Sequence, residues 1–107
     1  VKLIAELRHR VELLEPVESD DGAGGRIVNW STRDTVWAQV VSLKGKVKQW
    51  AEAKTAESPY SVTLRYRADV TSDMRFGFDG LELDIVSVAD PDGRRRWLVC
   101  YCIERSP

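Results

Sequence analysis

One imidazole, two close carboxylate pairs, two cysteines and two short basic runs are the groups whose spacing could carry chemistry. Nucleophilic catalysis needs a Ser, Thr or Cys served by a base, and His9 is the only histidine. It lies between Leu7 and Val11 in an alternating run, which reads as a partly buried histidine beside a core. Asp20 with Asp21, and Asp90 with Asp92, sit in Gly-containing stretches. Aspartate there commonly bonds its own backbone, so turn chemistry accounts for both pairs without acid–base catalysis. Cys100 and Cys102 lie two apart; on a strand they share a face and would close a strained, very small disulfide ring. A zinc site would need further ligands, and no second cysteine pair exists. Both thiols read as reduced core residues. "GAGG" lacks the Lys-Ser/Thr of a phosphate-binding loop. No catalytic, metal-binding or cofactor-binding residue is therefore assigned.

Two basic clusters remain: Lys44, Lys46 and Lys48, with Trp50 nearby, and Arg94, Arg95 and Arg96. Either could touch a phosphate backbone, although solvated hairpin ends produce the same runs. A sheet that holds single strands would show exposed aromatics on its face. Here Tyr60 and Tyr66 instead alternate in phase with Val62 and Leu64. The formal net charge is −1, so no general pull toward nucleic acid or anionic lipid follows from the totals. The opening "VKLIAELRHRVELLEP" breaks its apolar residues with charge, which excludes a secretory core or a membrane span there. A soluble intracellular protein is the simplest reading.

The elements that must position these groups are short strands. Leu7, His9, Val11 and Leu13 alternate with charge over residues 7 to 14, a strand that Pro16 should end. "VESDDGAGG" has little to bury and reads as an exposed, mobile loop. β-branched residues and tryptophans then predict strands over 26 to 32 and 35 to 43, with "TRD" as the corner between them. "KGKVKQWAEAKTAESP" changes to helical spacing and ends at Pro59, so 44 to 60 is a short helix or a long loop. "YSVTLRYR" is the clearest strand. Asp69 to Asp73 turn the chain, and Met74, Phe76 and Phe78 return to the core. Asp79-Gly80 makes a two-residue hairpin turn, and a phase shift at Ile85-Val86 predicts a bulge or burial on both faces. After "ADPDGR", Trp97, Val99, Tyr101 and Ile103 form one face of a closing strand. The expectation is an all-β domain, 1–107, a small antiparallel barrel of about six or seven strands, SH3- or OB-like.

The order of these pieces resembles the phage head-tail adaptor, or head-tail joining, family of head-closure (stopper) proteins found in tailed phages, prophages and gene transfer agents. The resemblance rests on "LRHRVELLEP", "DDGAGGRIVNW", "TVWAQVVSLKGK", "LRYRADVTSDMRFGFDG" and "LELDIVSVADPDGRRRWLVCYCIE", which run nearly end to end. The chain departs from the family pattern at "KVKQWAEAK", where a more acidic or aromatic run is expected. The resemblance implies a non-enzymatic β-barrel subunit of the virion, present in the bacterial cytoplasm during assembly. It implies a ring, hexameric or dodecameric, beneath the portal that closes the packaged-DNA exit channel and offers the tail a docking surface. Partners would be copies of itself, portal or adaptor proteins, tail terminator or tail-tube proteins and the double-stranded DNA in the channel, with no membrane and no cofactor. On this reading the connections 15–27 and 44–60 are arms. Trp50, Val47, Arg65, Arg67 and Arg75 are candidates for neighbour contacts, and Lys44, Lys46 and Lys48 for the DNA-facing side. Arg65, Arg67 and Arg75 could equally pair with Asp69 or Asp73. The alternative is a free-standing SH3- or OB-like module that binds a peptide or single-stranded nucleic acid.

Overall fold

A computed structural model describes residues 7–43 and 58–105. It contains six strands: β1 (His9–Asp20), β2 (Arg26–Ser42), β3 (Pro59–Arg65), β4 (Arg75–Phe78), β5 (Leu81–Ala89) and β6 (Trp97–Glu104). All pairings are antiparallel, and the strands close into a barrel in the order β1-β2-β3-β6-β5-β4. The all-β barrel expected from the sequence is the fold observed. The expected helix or long loop at 44–60 falls mostly outside the described residues.

Alternation decides what fills the barrel, since successive strand residues point to opposite faces. Val11 and Leu13 of β1, Ala38 of β2, Val62 and Leu64 of β3, Phe76 of β4, Leu83 of β5, and Leu98, Cys100 and Cys102 of β6 are buried in one cluster. Met74, Phe78, Tyr60 and Tyr66 pack against its edges. Trp97, Val99, Tyr101 and Ile103 share a face of β6, as expected; it is the outer one, with Leu98, Cys100 and Cys102 turned into the barrel. The expected core role of both cysteines is thereby met, and both are free thiols.

Three further turns and irregularities follow local rules. Asp79 (φ 52°) and Gly80 (φ 80°) are both left-handed and join Phe78 to its partner Leu81, as a two-residue hairpin with the strands' own twist requires. Val86 is skipped between Ile85 and Ser87 in the pairing with β6, so the predicted bulge is present and turns Val86 outward. At the β5–β6 connection Asp90 accepts from the Gly93 and Arg95 amides and Asp92 from the Arg94 amide, the turn chemistry expected of that pair.

Two expectations are corrected. The first strand does not end at Pro16: β1 continues to Asp20, with Pro16 opposite Trp30. Beyond Leu14 it pairs only with β2, so Pro16 lies on a sheet edge, where a missing N–H is tolerated. The stretch 15–27 is consequently a long β-hairpin with a short turn, not a mobile loop. Nor does "TRD" make a corner. Leu13 pairs with Asp34 and Leu14 with Thr32, so Arg33 is an extra residue in one continuous strand, a bulge that bends the hairpin without interrupting it.

Candidate assembly surface

The hairpin formed by residues 14–20 and 26–32 projects from the barrel as an arm. Its tip is closed by its own side chains. Asp20 Oδ1 accepts from the Gly22 amide at 2.9 Å, and Asp21 Oδ1 accepts from the Ala23 and Gly25 amides at 2.7 and 2.9 Å. These backbone bonds, Ala23's first, hold the Asp21 carboxyl below its ordinary range, so it stays ionised. Gly22 and Gly24 take φ of 81° and 86°, which only glycine adopts without strain. The aspartates that could have been a catalytic pair are thus the fasteners of a turn.

At its base the arm is braced by arginines. The bulge aims Arg33 at Asp69 (Nε to Oδ2, 2.7 Å) and at Glu15 (3.1 Å). Arg67 grips Asp69 with Nε and one terminal nitrogen, both at 2.9 Å, and reaches Asp34 at 2.6 Å. Asp69 is shared by two guanidiniums, and the bonds from Arg67 and then Arg33 hold it far below the usual carboxylate range. The bonds from Asp69 and Asp34 in turn raise Arg67 above an ordinary arginine. On the other side, Arg75 lies 3.8 Å over the Trp30 ring. Its Nε is 2.8 Å from Asp84 without hydrogen-bond alignment, and a terminal nitrogen donates to Glu82 at 3.3 Å. Only 12% of the Arg75 side chain is exposed, so a fixed stack and two carboxylates hold it.

Of the arginines singled out from sequence, Arg67 and Arg75 therefore brace the arm. Arg67 pairs with Asp69, one of the two partners anticipated, while Asp73 takes a hydrogen bond from Thr71. Arg65 is different: it is exposed on the outer barrel wall and sits 5.9 Å from the Trp97 ring centre. Beside it opens a groove of about 460 Å³ lined by Leu7, Val36, Trp37, Leu64, Arg65 and Arg67. Trp50, Val47, Lys44, Lys46 and Lys48 lie outside the described residues. Residues that sequence reasoning missed are Arg33, Trp30 and Trp37. The bulge that places Arg33 has no local sequence mark, and without it Trp30 and Trp37, seven apart, would point to opposite faces, so their common outward direction was not legible.

Nothing at these surfaces is arranged for turnover. The His9 Nδ1 accepts from the Val40 amide at 3.3 Å and the ring meets Phe78 edge-on, as a packed histidine should. Burial pushes the Cys100 thiol up to about 12 and Cys102 further, the opposite of a reactive thiolate. A closed barrel with a braced, projecting hairpin defines a structural assembly subunit. The family model "Phage head completion protein" matches residues 3–105, and the chain belongs to that family, which is structural and not enzymatic. It is 27% identical over 100 residues to the head completion protein gp7 of Enterobacteria phage HK97, an alignment covering 87% of this chain and 89% of that one. Among solved structures it resembles protein SF1141 of Shigella flexneri 2a, with TM-score 0.77, 25% identity and 98% of each chain covered. A chain of the native gene transfer agent virion shares the fold, with TM-score 0.68 and 21% identity over 94% of this chain and 97% of that one.

Proposed function

We propose that this chain, as a single domain over residues 1–107, forms a ring below the portal that closes the packaged-DNA exit channel and presents the surface on which the tail docks. The observation that supports this reading is the braced arm. A barrel that closes on itself needs no such extension to fold, and ordered projections held by buried or shared charges are suited to contacts between subunits. Portal or adaptor proteins on one side and tail terminator or tail-tube proteins on the other are the partners of this reading. Lys44, Lys46 and Lys48 would face the DNA, with Trp50 and Val47 toward a neighbouring copy.

The test uses particles from cells lacking the gene, imaged by electron microscopy before and after addition of the purified protein. Heads that have lost DNA and carry no tails, rescued by the protein, are the expected result. Normal tailed particles in its absence would refute the proposal.

A further inference from the structure

Four outward side chains form a line across the barrel wall. Arg10 of β1 stands opposite Trp37 of β2, and Arg65 of β3 opposite Trp97 of β6. The pairing of Ala38 with Leu64 puts Trp37 and Arg65 on the next step of the same line. Each arginine lies against its tryptophan, Arg10 at 4.9 Å from the Trp37 ring centre and Arg65 at 5.9 Å from that of Trp97. Neither has a carboxylate partner among the described residues, whereas Arg26, Arg33, Arg67, Arg75, Arg96 and Arg105 each have one. A guanidinium stacked on a ring keeps its N–H edge free. Trp37 is 52% exposed, and exposed tryptophan beside unpaired arginine is the composition of an interface centre.

The arm carries the complement. Of its four carboxylates, Glu18 pairs with Arg26 and Glu15 with Arg33 at the base, while Asp20 and Asp21 at the tip bond only backbone amides among the described residues, so the arm's end is net acidic. Val17, Ile27 and Val28 are 45–48% exposed along the same hairpin. Register keeps the two surfaces of one molecule apart. Arg26 at the arm's end and Trp37 lie on one strand, eleven residues and about 35 Å from each other at ~3.3 Å per residue. An arm locked by paired strands cannot fold back over that distance.

We infer that the acidic arm of one copy docks on the Arg10–Trp37–Arg65–Trp97 line of the next. This rests on the ring reading above and names the contact that would build the ring, which is heterologous, a projecting element against a different surface of its neighbour. Charge complementarity steers and orients such a contact, while Val28, which shares the hairpin face of Glu18 and Asp20, supplies apolar area against Trp37 and the adjacent groove.

The test compares full-length variants on heads lacking the chain, read by chemical cross-linking into multimers and by counting tailed particles. One variant reverses the arm (Glu18→Lys with Asp20→Lys, leaving both Asp21 turn bonds in place), one reverses the line (Arg10→Glu with Arg65→Glu), and one carries all four changes. Each reversal alone should lower multimer yield about tenfold or more, and the fourfold variant should recover most of it. Wild-type yield from either reversal, or a fourfold variant as poor as the others while melting like wild type, overturns the contact. If a reversal lowers the melting temperature, a cysteine pair decides instead. Val28→Cys with Gln39→Cys should give disulfide-linked multimers, and multimers that assemble without that link overturn the inference while leaving the ring reading intact. Wild-type heads that yield no multimers at all would remove the ring reading itself. Line-dependent capture of a single-stranded oligonucleotide, with assembly unchanged in every variant, would transfer the surface to nucleic acid.

Discussion

Replacing Asp69 by asparagine removes the one negative charge that two guanidiniums share while keeping its shape. Three charge-assisted hydrogen bonds of 2.7–2.9 Å converge on it, but Arg33 keeps Glu15 and Arg67 keeps Asp34, so neither arginine is orphaned. Side-chain exposure of 27% for Asp69 and 25% for Arg67 places the pair between a surface bridge, worth at most about 1 kcal/mol, and a buried one, worth about 3 to 5 when one partner is removed. The expected cost is about 2 kcal/mol at neutral pH, or roughly 10 °C in melting temperature for a domain of this size. The folded carboxyl is depressed by Arg67 and then Arg33. Its contribution is therefore full above the unfolded value near 4 and is lost as pH falls toward the folded one. Thermal melts followed by circular dichroism should thus show a gap between wild type and Asp69→Asn that is constant from about pH 7 to 5 and shrinks below about pH 4. A gap that persists undiminished at the lowest pH at which both proteins fold, or no gap at pH 7, would refute the shared-charge account of the brace.

The remaining predictions concern the barrel interior. Phe76 is wholly buried and the largest such side chain, so Phe76→Ala should cost about 4 kcal/mol, seen as a lowered urea midpoint with the slope unchanged. Cys100 and Cys102 should resist thiol reagents in the native state at pH 8, because burial raises both thiols, and should react fully in denaturant; rapid native labelling would contradict their packing.

What could be read from residue order was whatever depends on neighbours a few positions apart. The alternation of β3, the Asp79-Gly80 reversal, the Val86 bulge and the Asx turns at Asp21 and Asp90 are local in this sense, and each is present. The arm was not legible, because Pro16 and the run of glycines and acids after it carry the composition of a loop. Pro16 to Asp20 become strand only where β1 and β2 find each other and where edge position excuses the missing N–H, the glycines staying in the turn. The brace was half legible. Arg67 and Asp69 are neighbours, yet Arg33 to Asp69 and Arg67 to Asp34 span more than thirty positions, and only the closed sheet brings them within reach. On β6 the alternation was legible too, with Cys100 and Cys102 in the core as their spacing of two requires.

Beyond Leu14 and Thr32 the two strands of the arm hydrogen-bond only to each other, so both of its outer edges are bare. Bare edges invite strand addition by any passing chain, and most of all by an identical one. Pro16 withholds a donor from one edge, and the carboxylates of Glu15, Glu18, Asp20 and Asp21 set two arms against each other before their edges can align. The same charges that would seek arginines on a neighbour's wall therefore forbid arm-to-arm pairing.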